Sequence, residues 1–126
     1  IDDTYNANPD SVKAAIRVLS ARKPPRYLVL GDMGELGANG AAMHREVGEF
    51  ARKAGIDKLF ALGELSCEAV SAFGARATHF GSVEELASAL QPLLAPQVTV
   101  LVKGSRFMKM ERVVEKLVPT YGGGHH

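Results

Sequence analysis

Two short apolar runs, Tyr27-Leu28-Val29-Leu30 and Val98-Thr99-Val100-Leu101-Val102, constrain the fold of this chain most. A strand with one wet face alternates polar and apolar residues, and neither run does so. Continuous runs of this length belong to parallel strands covered on both faces. A sheet covered on both faces needs helices, and the intervening sequence supplies them.

Pro9 to about Ala21 carries Val12, Ala15, Ile16, Val18 and Leu19 mostly at helical spacing, and Arg22-Lys23-Pro24-Pro25 ends that helix. A second helix is expected from about Ala41 to Ala54, with Met43, Val47, Phe50 and Ala51 inward. Lys58–Leu62 reads as a strand, Glu64–Phe73 as a helix and Thr78–Phe80 as a brief strand. Ser82, with Glu85 three positions on, opens a helix to about Leu90 as a capping box. After Val102 a last helix is expected with Met108, Val113, Val114 and Leu117 inward. Strands alternating with helices over short turns predict an α/β domain of three layers, with a mostly parallel sheet flanked by helices. Right-handed crossovers then gather the strand-to-helix loops at one rim.

A length of 126 residues suits one core, and 46% apolar with 23% charged residues is an ordinary globular balance. No apolar run approaches the ~20 residues that span a bilayer. A net charge of +1, from 15 basic and 14 acidic residues interspersed along the chain, gives no footprint for nucleic acid or an anionic membrane. Neither is expected as a partner. Cys67 is the single cysteine, which excludes an internal disulfide; it falls in a helical apolar pattern and reads as a core or inert thiol. Residues 1–121 are expected to form one domain of a larger enzyme. The tail Gly122-Gly123-Gly124-His125-His126 reads as a spacer and tag remnant, so no metal site is assigned to it.

Three loops carry chemistry. The first is Asp2-Asp3-Thr4-Tyr5-Asn6-Ala7-Asn8-Pro9-Asp10-Ser11, a strand tail that turns into a helix. Asn8 suits the N-cap, Pro9 the first helical position, and Asp10 the positive helix end. It is either a well-capped loop or a ligand-binding strand-to-helix junction. The second runs from Gly31 to Gly40, with four glycines and the carboxylates Asp32 and Glu35. These can hold a substrate ammonium or cap the following helix. Gly31, Gly34 and Gly37 give G-x-x-G-x-x-G, which departs from the dinucleotide fingerprint and supports a nicotinamide site poorly. His44 follows early in the next helix. The third loop is Lys103-Gly104-Ser105-Arg106, where two cations and a hydroxyl at a helix N-terminus suit a carboxylate or phosphate, or else form a basic surface loop. No G-x-x-x-x-G-K-[ST] phosphate loop occurs in the chain.

The opening segment, together with Leu30-Gly31-Asp32-Met33-Gly34-Glu35-Leu36-Gly37 and Val102-Lys103-Gly104-Ser105-Arg106, resembles the C-terminal domain of the Mur ligases, in order and at plausible spacing. Within that family Tyr5-Asn6-Ala7-Asn8-Pro9 resembles the branch that adds D-alanyl-D-alanine to UDP-N-acetylmuramoyl-tripeptide. The resemblance implies a Rossmann-like fold and a cytoplasmic enzyme of peptidoglycan precursor synthesis; a monomer is expected because no sequence feature demands otherwise. It also implies ATP and Mg2+ bound mainly by a central domain that is not in this chain, and an acyl phosphate intermediate. Asp3, Tyr5, Asn6 and Asn8 would contact ATP. Met33, Gly34, Leu36, His44, Gly104, Ser105 and Arg106 would contact substrate, and Asp32, Glu35 and Lys103 would serve catalysis. With no phosphate loop of its own, the chain alone is expected to be inactive. A nucleotide-cofactor domain of an oxidoreductase and a non-catalytic binding module are the alternatives.

Overall fold

The structure is a computed structural model and describes residues 8–33 and 37–104. The expected strand tail before Asn8, the last helix over Met108 to Leu117 and the 122–126 tail lie outside the described residues.

Helix α1 (Pro9–Ser20) leads into β1 (Arg26–Gly31). A single 3-10 turn, Gly37–Asn39, opens α2 (Gly40–Lys53), and β2 (Lys58–Leu62) follows. Then come α3 (Ser66–Phe73), β3 (Ala77–Phe80), α4 (Val83–Leu90) and β4 (Thr99–Lys103). The four strands form one sheet in the order β3-β2-β1-β4, with every pairing parallel. The alternation of strand and helix read from the sequence therefore holds throughout the described residues.

Chain handedness explains the layers. From β1 to β2 to β3 the chain steps across the sheet in one direction, so right-handed crossovers leave α2 and α3 on one face. From β3 it returns past β2 and β1 to reach β4, in the opposite direction, and the same handedness puts α4 on the other face. The two cores follow. Val12, Ile16 and Leu19 of α1, Val47 and Ala51 of α2, and Ala69 and Phe73 of α3 pack on Leu28 and Leu30. Val83, Leu86, Ala87 and Leu90 of α4 pack on Tyr27, Val29 and Phe60. Side chains alternate across a strand, so neighbours in the run Tyr27–Leu30 serve opposite cores. That is why the run has no polar phase.

The ends of the elements are fixed locally. Asn8 caps α1: its side chain accepts a hydrogen bond from the Ser11 N–H at 2.9 Å, and Ser11 Oγ accepts from the Asn8 N–H at 3.1 Å. At α4, Ser82 Oγ accepts from the Glu85 N–H at 3.1 Å, as the spacing predicts. The Glu85 carboxylate reaches one residue further back than expected, to the Gly81 N–H. At the far end of the sheet Arg26 donates to the Ser20 and Gly55 carbonyls at 2.7 and 2.6 Å and pairs with Asp57 at 3.2 Å. One guanidinium fork thus ties the end of α1 to the start of β2. Where α2 crosses α3, Gly48 lies so close that a Cβ there would sit 2.3 Å from the Ala69 carbonyl oxygen.

Three inward assignments shift. Val18 is exposed, because Val12, Ile16 and Leu19 already form the buried stripe of α1. Met43 is only half-buried, while His44 next to it takes the fully buried place. Cys67 is exposed on α3 rather than in the core.

Candidate functional site

The strand order reverses at β1: its neighbour on one side is reached through α2, and on the other only after the chain has crossed back. In open parallel sheets the crevice at the carboxyl ends of the strands flanking such a switch point is where ligands bind. Here those ends belong to β1 and β4. Their register pairs Leu30 with Lys103, so the segments beginning at Gly31 and Gly104 leave the sheet side by side. The start of α1 completes the rim, since Ser11 and Lys103 both line a cavity of about 140 Å³ between α1 and β4. Most of that cavity runs below the rim, along Ala15, Leu19, Val100 and Leu101, and has an apolar lining. Only its upper end faces the switch point. The described parts of the three loops thus meet on one rim.

Each expected site residue has a distinct place there. Asn8 is exposed at the rim, with its side-chain oxygen engaged in the α1 cap. Lys103 ends β4 with a side chain only 2% exposed, and Gly104 beside it is buried. A cation at a strand end within a switch-point crevice is of the chemistry that suits an anionic group.

Asp32 is largely committed elsewhere. Its carboxylate accepts hydrogen bonds from the Leu65 N–H at 3.0 Å, the Ser66 N–H at 2.8 Å and the Ser66 hydroxyl at 2.8 Å. Leu65 is the N-cap residue of α3 and has no side-chain acceptor to offer, so Asp32 caps that helix from another loop. Of the two readings left open for this carboxylate, capping is the one seen, although the helix is α3 rather than the following α2. Gly63 makes room for it: its φ is +108°, and a Cβ there would lie 2.5 Å from the Asp32 carboxyl carbon.

Met33 and His44, expected at the substrate, both have their side chains inside the domain. The Met33 side chain is 1% exposed and belongs to the core beneath α1 and α2. His44 is fully buried. Its Nε2 accepts from the Met33 N–H at 3.1 Å, and Nδ1 donates to the Gly40 carbonyl at 2.6 Å. Both ring nitrogens are therefore used inside the loop. Asp3, Tyr5, Asn6, Gly34, Glu35, Leu36, Ser105 and Arg106 lie outside the described residues. Sequence reasoning passed over Ser11 and Ser66; Ser11 stands at the capping-box position relative to Asn8, whereas nothing near Ser66 marks it as a partner of Asp32.

Among the described residues no three His, Cys, Asp or Glu side chains gather in a way that could hold a metal ion. No described helix is long and apolar enough to cross a membrane.

A doubly covered parallel sheet with its polar rim at the β1–β4 switch point defines the class: a Rossmann-like α/β domain. Residues 1–106 match the family profile described as Mur ligase, glutamate ligase domain, and the chain belongs to that family. It is 45% identical over 119 residues to the UDP-N-acetylmuramoyl-tripeptide--D-alanyl-D-alanine ligase of Escherichia coli K12, covering 93% of this chain and 26% of that protein. The Bacillus subtilis ligase of the same name is 35% identical over 127 residues, 94% of this chain and 27% of its own length. Among solved structures, MurF from Acinetobacter baumannii matches with a TM-score of 0.84 at 35% identity over 93% of this chain and 26% of that one. MurF from Thermotoga maritima, determined in complex with ADP, matches with a TM-score of 0.79 at 30% identity over 93% of this chain and 27% of that one. The chain thus spans about a quarter of the length of the curated relatives it matches. Family membership favours the ligase reading over the oxidoreductase and non-catalytic alternatives.

Proposed function

We propose that this chain is the C-terminal domain of an ATP-dependent ligase that joins D-alanyl-D-alanine to UDP-N-acetylmuramoyl-tripeptide, as the names of its relatives describe. The observation that carries the reading is the meeting of Ser11, Asp32 and Lys103 loops on one switch-point rim. The enzyme acts in the cytoplasm as a monomer, and its other domains hold ATP and the acceptor peptide.

The reaction sets what this rim must do. An amine attacks an activated carboxyl carbon as a neutral nucleophile, so it must be oriented and lose a proton close to that carbon. Negative charge then grows on the tetrahedral intermediate and on the departing phosphate. Lys103, with Ser105 and Arg106, would bind the dipeptide carboxylate or that phosphate, and Gly104 allows close approach of the backbone. The loop through Gly34, Glu35 and Leu36 would orient the amine. Glu35 stands ahead of Asp32 as a proton acceptor, since the Asp32 oxygens already hold α3. Asp3, Tyr5, Asn6 and Asn8 would face the adenosine part of ATP. ATP supplies the activating phosphoryl group. Mg2+ would be held, with most of the ATP, by the central domain.

A backbone-amide NMR titration of the chain tests this assignment. D-alanyl-D-alanine is expected to shift Asp32, Lys103 and Gly104, and ATP-Mg to shift the segment around Asn8. Saturable shifts with NAD at Gly31–Gly37, and none with the dipeptide, would overturn it.

A further inference from the structure

We infer that the end of the sheet opposite the rim is a docking surface for an anionic lipid bilayer, engaged from the aqueous side without a membrane-spanning segment. The fold sorts charges that are interspersed along the sequence. Because every strand is parallel, every helix-to-strand connection returns to one end of the sheet. Arg22 and Lys23 follow α1 there, Arg52 and Lys53 end α2, Lys58 begins β2 and Arg76 precedes β3. Lys58 is half-buried and the others are exposed. The carboxylates Asp10, Glu64, Glu68, Glu84 and Glu85 fall in the first turns of helices or just before one, on the rim side.

Hydrogen bonds join the segments that bear these cations into one face. The Arg26 guanidinium donates to the Ser20 and Gly55 carbonyls, the Asp57 N–H donates to the Arg26 carbonyl at 2.9 Å, and the Leu59 N–H to the Arg76 carbonyl at 3.1 Å. Three strand spacings of about 4.8 Å make the sheet edge of that face about 15 Å wide. Its own carboxylates are matched: Asp57 pairs with Arg26 at 3.2 Å, and Glu49 lies 3.9 Å from Arg52 and 3.6 Å from Lys53. The helix dipole accounts for Arg52 and Lys53, in the last turn of α2, whereas Lys58 and Arg76 lie outside helices. The rim carboxylates do not cancel the field of this face. A strand of five residues puts them about 16 Å away, roughly two screening lengths at physiological salt. A surface approaching this end therefore meets local positive charge, although the whole chain carries only +1.

Apolar exposure selects a bilayer over nucleic acid. Val18 and Leu93, 54% and 36% exposed, are the large apolar side chains left most open among the described residues. Val18 is in the last turn of α1 and Leu93 in the 3-10 turn Gln91–Leu93 that follows α4, so both lie toward the basic end. Apolar side chains beside cations suit the headgroup region, where apolar burial adds to the attraction for anionic lipid. A single nucleic-acid strand needs aromatic faces to stack on, and the aromatics at this end, Tyr27 and Phe73, are buried. Duplex phosphates would gain nothing from Val18 and Leu93. Docking by this end points the β1–β4 rim away from the lipid, so the site stays open to solutes whatever reaction it performs.

Vesicle co-sedimentation of the full-length protein carrying this chain tests the assignment, with vesicles of phosphatidylcholine alone and of equal parts phosphatidylcholine and phosphatidylglycerol. Binding is expected to the mixed vesicles only, and its loss in about 1 M salt, where the screening length falls to about 3 Å. Each exposed cation near such a surface strengthens binding about fivefold, so the double substitution Lys23→Gln and Arg76→Gln should weaken it roughly twentyfold. Val18→Ser should weaken it about threefold without changing its salt dependence. Glu64→Gln, at the rim, should leave it within about twofold of the parent, because that charge is screened from the lipid. All four positions are exposed, and thermal melting of each variant separates a binding effect from a folding one. Failure to bind the mixed vesicles, equal binding to both kinds, or a double variant that binds like the parent would overturn the inference. So would a short duplex DNA that binds the protein more tightly than the mixed vesicles and displaces it from them.

Discussion

Replacing Asp32 by alanine removes the cap of a helix that lies more than thirty residues further along the chain, and the structure allows the cost to be estimated. The carboxylate accepts from two backbone N–H groups at the start of α3 and from the Ser66 hydroxyl. Loss of an N-cap acceptor costs about 1 kcal/mol and up to about 2. Leaving the hydroxyl of the buried Ser66 without its acceptor adds about 1 kcal/mol, the low end of the range, because the carboxylate is only part-buried and water can enter in its place. We take a total of about 2 kcal/mol. With about 2.1 cal/mol/K of unfolding entropy per residue over 126 residues, Tm should fall by about 8 °C. Asp32→Asn, which keeps one acceptor oxygen without the charge, should lose about half as much. Urea and thermal denaturation of the chain measure both, and hydrogen exchange at the Leu65 and Ser66 amides should accelerate selectively. A D32A stability within about 0.5 kcal/mol of the parent, the range of ordinary surface changes, would refute the assignment of Asp32 as a cap.

Two further substitutions test the frame that carries the rim. Gly48→Ala should destabilise by about 2 kcal/mol even though alanine is the better helix former by about 1 kcal/mol, because the new methyl meets the Ala69 backbone and α2 and α3 must separate; a stabilised variant in urea denaturation would refute the contact. Arg26→Met should cost about 2 kcal/mol by freeing the Ser20 and Gly55 carbonyls and the Asp57 carboxylate, while leaving dipeptide-induced NMR shifts at Lys103 intact, since the network lies at the opposite end of the strands. Loss of those shifts in a folded R26M chain would contradict that separation.

The layers were legible from the sequence because burial on both faces removes the polar phase from a strand, and Tyr27–Leu30 and Val98–Val102 show this directly. The caps at Asn8 and Ser82 were legible because their partners lie three residues away. Asp32 was not, since its partners Leu65 and Ser66 come from another loop and no local spacing reveals them. Its neighbour Met33 reads as a loop residue by position, yet its side chain lies in the core. Periodicity ranked the apolar Met43 inward, while two hydrogen bonds make His44 the residue that can be buried. Of the rim itself, the meeting of the loops after β1 and β4 followed from strand alternation and handedness. That they flank the switch point required the strand order.

Product formation from ATP, D-alanyl-D-alanine and UDP-N-acetylmuramoyl-tripeptide tests the central claim most directly, measured for the full-length protein and for this chain alone. The account predicts dipeptide-dependent joining with release of phosphate by the full-length protein, loss of most of it on Lys103→Met, and none by the isolated chain. Joining by the isolated chain, or full activity in the K103M protein, would contradict it.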